Sequence, residues 1–124
     1  MSAALDHVQV AIPAGGEPAV RRFYGELLGL AEVEKPEPLR ANGGVWFAPG
    51  LHLGVETPFA PARKAHPGLR VDDLDGVAAR LAAAGHEAVW DERRPGVRRF
   101  HVFDPFGNRL ELLAAPAGVS AAGS

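Results

Sequence analysis

The segment Gly50–Thr57, GLHLGVET, decides how the chain is read. Leu51, Leu53 and Val55 alternate with His52, Gly54 and Glu56, the period of a strand with one apolar face. Near the other end, Arg109–Ala114, RLELLA, has the same form, with Leu110 and Leu112 flanking Glu111. Slid on itself by 59 residues, the sequence lays His52 on Glu111 and His7 on His66, and each half separates its pair by 45 residues. Repetition at a fixed period is the signature of a duplicated supersecondary unit.

Element order supports the duplication. Leu5–Ile12, LDHVQVAI, alternates Val8, Val10 and Ile12 against Leu5, His7, Gln9 and Ala11, a half-buried strand. Pro18 opens a helix whose stripe is Val20, Phe23, Tyr24, Leu27 and Leu28, ending near Gly29. Residues 30–35 read as a strand, PEPLRANGG as a loop, and VWFAP with LHLGVE as a hairpin about Pro49-Gly50. The pattern then restarts. HPGLRV (66–71) is a strand; Asp72 or Asp73 caps a helix with Leu74, Val77, Ala78 and Leu81 inward, ended by Gly85. EAVWDE and RRFHVF are strands, the turn DPFGN follows, and RLELLA closes the half. The expected fold class is α+β: two βαβββ modules, about 4–57 and 64–115, forming a cupped, partly open mixed sheet barrel with helices outside. Residues 1–115 form one domain in this reading, and 116–124 a disordered tail.

Composition narrows the function. A chain of 124 residues suits one domain, and 47% hydrophobic with 23% charged residues is the balance of an ordinary globule. Thirteen basic against 15 acidic residues point away from nucleic acid and from a polybasic membrane patch. There is no signal peptide and no long apolar run, so a cytoplasmic protein without membrane partners is expected. Cysteine is absent, which excludes disulfides and thiolate ligands. Any metal must be held by nitrogen and oxygen.

If the two halves form one curved sheet, His7, His52, His66 and Glu111 face its concave side. Imidazoles with a carboxylate suit a divalent transition ion, Zn, Ni, Mn or Fe. An open position on such an ion polarises a substrate oxygen. Gly54 and Gly68, each two residues on from a histidine, leave room for a ligand, and Gln9 shares their face. Trp46, Trp90 and Phe100 are core candidates, one of them able to wall the pocket. On the 98–103 strand either Phe100 or His101 meets the cavity, and Arg98 or Arg99 is either surface charge or a grip on an anion. His86, after the helix-ending glycine, reads as surface. Glu56 would lie about 7 Å from His52 along the strand, as a solvated charge or a substitute base.

The motifs LDHV, FYGELLGL, AHPGLRVDDLDGVAARLAAAG and DPFGNRLELL span residues 5–113. Together they resemble the vicinal oxygen chelate superfamily, which includes glyoxalase I, fosfomycin- and bleomycin-resistance proteins and extradiol dioxygenases. The resemblance implies metal ligands at His7, His52, His66 and Glu111, a catalytic role for Glu111, a small-molecule substrate and a homodimer. It implies a metal-dependent lyase, isomerase or thiol-transfer enzyme that chelates vicinal oxygens. The alternatives are a non-catalytic antibiotic-binding protein and an Fe(II) ring-cleaving dioxygenase. His52 stands where glyoxalase I resembles a glutamate, which sets this chain apart from that enzyme.

Overall fold

The computed structural model describes residues 1–116 and divides the chain into two compact units, Met1–Pro61 and the chain from Ala62 onward. Each is a βαβββ unit with a four-stranded mixed sheet, giving the α+β class expected. All of the expected tail except the exposed Pro116 lies outside the described residues. No helix among the described residues is long and apolar enough to cross a membrane.

In the first unit, β1 (Val8–Ile12) leads into α1 (Glu17–Val20), which continues as a wider π-type helix over Arg21–Leu27. Pro18 sits in the first turn, where its missing N–H costs nothing. The helix buries Val20, Phe23, Tyr24, Leu27 and Leu28, and Gly29 leaves it with φ +80°. Strands β2 (Glu32–Val33), β3 (Val45–Phe47) and β4 (Leu51–Val55) complete a sheet of order β1-β4-β3-β2. Only the β1/β4 pair is parallel. Its packed face carries Val10, Ile12, Val45, Phe47, Leu51 and Leu53.

The second unit repeats this order with β5 (Gly68–Val71), α2 (Leu74–Ala83), β6 (Val89–Trp90), β7 (Arg99–Phe103) and β8 (Arg109–Ala114). Its sheet runs β5-β8-β7-β6, again with one parallel pair, β5/β8. Asp73 caps α2 by accepting the Gly76 N–H at 3.0 Å. The β7–β8 turn is fixed from inside: Asp104 Oδ1 accepts from the Phe106 and Asn108 backbone N–H groups, and the Asn108 amide donates to Asp104 Oδ2.

The duplication holds at the level of register. Gln9 pairs with His52, and Gly68 with Glu111; Val10 pairs with Leu53, and Leu69 with Leu112. A shift of 59 carries each first pair onto its second. The hairpins differ. Residues 48–50 join β3 to β4, whereas 104–108 join β7 to β8. Opposite His52 therefore stands Trp46, and opposite Glu111 stands His101.

Several elements are shorter than the sequence suggests. The expected strands at 30–35 and in EAVWDE shrink to Glu32–Val33 and Val89–Trp90, both outermost in their sheets. The expected loop PEPLRANGG contains a 3-10 helix, Glu37–Asn42. Strand β1 begins at Val8 and β5 at Gly68, so His7 and His66 sit just ahead of their strands.

Candidate functional site

In the second unit the strand alternation sorts side chains cleanly. Phe100 and Val102 of β7 and Leu110 and Leu112 of β8 are buried in the packed face. Arg99 and His101 of β7 and Glu111 of β8 lie on the other face, with Gly68 of β5 opposite Glu111. Glu111 is only 7% exposed, so its charge needs partners. Arg99 Nη1 donates to Glu111 Oε1 at 2.5 Å, and Arg99 Nη2 lies 3.3 Å from Asp91 Oδ2. Oε2 faces Gly68, where an added Cβ would sit 3.4 Å away. The glycine keeps that side of the carboxylate open.

Among the described residues, His66, His101 and Glu111 form a group whose ligand atoms lie within 4.8 Å of one another. Two imidazoles and a carboxylate are a suitable donor set for a divalent transition ion. Their hydrogen bonds separate them. His66 Nδ1 lies 2.9 Å from the Lys64 carbonyl oxygen, which can only accept. That nitrogen carries the proton, and in the neutral ring Nε2 keeps its lone pair for a ligand. His101 has both nitrogens engaged, Nε2 toward Asp91 Oδ2 at 3.3 Å and Nδ1 toward Arg109 Nη2 at 3.5 Å. His66 thus has one ring nitrogen engaged, whereas His101 has both.

Asp91 anchors the back of this network. Its side chain is 6% exposed and takes a bidentate bond from Arg93, with Nε at 2.9 Å and Nη2 at 2.6 Å. The Arg93 side chain first, then the Arg93 backbone N–H, hold the Asp91 carboxyl far below the usual carboxylate range. A depressed carboxyl contributes stability that is complete above its unfolded value, near 3.9, and lost as pH falls through the folded value. The melting-temperature gap between wild type and Asp91→Asn is therefore expected to stay constant from about pH 7 to about pH 5 and to close below about pH 4. A gap unchanged down to about pH 2 would remove the ion pair as its cause.

In the first unit His7 has the same preparation as His66. Its Nδ1 lies 2.8 Å from Asp6 Oδ2, a carboxylate acceptor, which leaves Nε2 with the lone pair in the neutral ring. His52 is held differently. Its ring stacks on Trp46 at 3.8 Å and 1°, and on His7 at 4.5 Å and 16°. Burial, then the neighbouring His7 charge, push His52 below the ordinary histidine value. A ring nitrogen directs its lone pair in the ring plane. Two stacked rings lie in separate planes, so in this arrangement His7 and His52 cannot both aim at one ion.

The remaining expected residues divide between the two faces. Gln9 covers Gly54, where an added Cβ would lie 2.7 Å from Gln9 Cδ. Glu56 is exposed, one residue past β4. Two of the expected pocket residues stand apart from the Glu111 network. Phe100 is 0% exposed and meets Trp90 edge-on at 5.1 Å, so it belongs to the packed face. Arg98 precedes β7, pairs with Asp75 at 2.9 Å and lies over the Trp90 ring at 5.0 Å. The arginine in the network is Arg99, which shares its parity with His101. Strand alternation was the signal that could have selected it. Asp91 and Arg93 had no comparable signal.

A family model described as a glyoxalase-like domain matches residues 9–113. The chain is 45% identical to a glyoxalase family protein of known structure from Bacillus anthracis, with TM-score 0.86 over 94% of this chain and 98% of that one. It shares its fold with the fosfomycin resistance protein FosX from Listeria monocytogenes (17% identity, TM-score 0.67, 94% and 97% covered). It also shares the fold of lactoylglutathione lyase from Agrobacterium tumefaciens (22% identity, TM-score 0.62, 92% and 95% covered). No curated protein matches the chain.

Proposed function

Because the chain belongs to the glyoxalase-like domain family, within the vicinal oxygen chelate superfamily, we propose that it is a divalent-metal-dependent enzyme acting on a small oxygenated molecule. One observation carries this reading. A ring nitrogen of His66 lies within 4.8 Å of a ring nitrogen of His101 and a carboxylate oxygen of Glu111, two imidazoles and a carboxylate on one spot. His66 and Glu111 would hold the ion. When bound, it supplies Lewis-acid polarisation of a substrate oxygen.

The chain's own residues supply the rest. Arg99 fixes the Glu111 carboxylate by taking Oε1, so its plane and its free oxygen are set before substrate arrives. Glu111 is the group placed to take and return a proton at a carboxylate oxygen. His101 Nε2 lies 3.3 Å from Asp91 Oδ2 and 3.9 Å from Glu111 Oε1, between the two carboxylates. Glu56, read as a solvated charge or a substitute base, is exposed one residue past β4.

Metal content of protein purified without chelators tests this reading. Wild type should carry a stoichiometric divalent ion, and His66→Ala and Glu111→Gln should each lower occupancy by roughly tenfold or more. His52→Ala should keep its metal, because that ring is committed to the Trp46 stack. Full occupancy in both the His66 and the Glu111 variants would sink the proposal.

A further inference from the structure

Arg99 Nε is buried and has no hydrogen-bond partner among the described residues. A buried donor left unpaired is costly, so something must hold the guanidinium in this pose. A guanidinium beside a carboxylate commonly makes two parallel bonds, one to each oxygen. Arg99 does not do this with Glu111. Nη1 donates to Oε1 at 2.5 Å, Nη2 lies 3.3 Å from Asp91 Oδ2, and Nε is left over. Glu111 Oε2 faces Gly68 instead, 3.4 Å from where a Cβ would stand.

Asp91 is the group that divides Arg99. Its own position is fixed: the Arg93 backbone N–H donates to Oδ1 at 3.0 Å, and the Arg93 side chain reaches both oxygens. The oxygen near Arg99, Oδ2, also lies 3.3 Å from His101 Nε2. A carboxylate held this firmly cannot swing toward the guanidinium, so one arm of the guanidinium is drawn to it. The repeat supplies a comparison within the chain. Extended just past the strand ends, the registers make His52, Trp46, Gly44 and Lys35 the first-unit counterparts of Glu111, His101, Arg99 and Asp91. Where the strand carries an imidazole, neither the arginine nor the acid that divides it is there. The pair accompanies the carboxylate.

We propose that Asp91 is a positioning residue acting through Arg99: it draws one arm of the guanidinium aside and so keeps Glu111 Oε2 free for an ion. The proposal rests on the reading of Glu111 as a metal ligand. Without the pull of Asp91, Arg99 closes a two-bond clamp on Glu111, and an ion must then displace it. Asp91→Asn keeps the shape but offers a neutral acceptor, which holds a guanidinium less strongly than the Glu111 carboxylate does. The crystal structure of that variant without metal should show a second Arg99 nitrogen within about 3 Å of Glu111 Oε2. Its affinity for cobalt(II), measured by titration, should fall about tenfold. Adding Arg99→Gln should recover most of that loss, whereas a merely structural role for Asp91 predicts neither the clamp nor the recovery. Asp91→Ser, also uncharged, gives the same readouts if the asparagine variant does not fold. An Arg99 still divided as in wild type, or a loss of affinity that Arg99→Gln leaves in place, would overturn the proposal. Wild-type protein that takes up no cobalt would sink the metal reading itself, and the crystal structure would still show whether Asp91 is what divides Arg99.

Discussion

Phe100→Ala is expected to cost about 3–5 kcal/mol of stability, measured by urea denaturation. The ring is fully buried, pairs across the sheet with Leu112 and meets Trp90 edge-on. Its removal leaves a void in a close-packed face that relaxes only partly, so the lost transfer energy and the cavity both count. His101, its neighbour on β7, provides the contrast. His101→Ala removes a half-buried side chain from the polar face and takes nothing from the packed one. Its cost should be smaller by about 2 kcal/mol or more. Equal losses in the two variants would mean that the faces of β7 are assigned the wrong way round.

That contrast also marks what the sequence reveals. The fold is legible because a strand's period is two and a register slip moves every side chain to the wrong face. The alternation in LDHVQVAI, LHLGV and RLELL therefore commits each strand to a face, and the shift of 59 carries the pairing of Gln9 with His52 onto that of Gly68 with Glu111. The same parity places Arg99 with His101, and Phe100 with the core. What parity cannot give is the partner across a hairpin, because that depends on the connection. Three residues bring Trp46 opposite His52, whereas five bring His101 opposite Glu111. The stack of His7, His52 and Trp46 follows from ring orientations that no residue spacing encodes. Asp91 lies beyond a two-residue strand, and its bond to Arg93 is a local bend in the following loop. Nothing in EAVWDE distinguishes it from a surface acid.

Arg99→Leu should be the most damaging single change on the polar face, at about 3 kcal/mol by urea denaturation near neutral pH. Arg99 is 16% exposed and stands between two carboxylates that are 6% and 9% exposed, Asp91 and Glu111. Leucine fills much of the volume but withdraws the cation, and a buried charge without its partner is costlier than no charge at all. The two carboxylates do not suffer equally. Asp91 retains its bidentate bond from Arg93 and its contact with His101. Glu111 keeps only the His101 ring, at 3.9 Å, from the ion-pair partners of the described residues. Most of the loss should therefore originate at Glu111. A double variant tests this directly, since adding Glu111→Gln to Arg99→Leu removes the stranded charge. The double variant should recover at least about 1 kcal/mol relative to Arg99→Leu alone, the coupling expected of residues in one ion-pair network. Simple additivity of the two single changes would show that Arg99 acts through packing. The guanidinium would then lose its place as the group that sets the Glu111 carboxylate for chemistry.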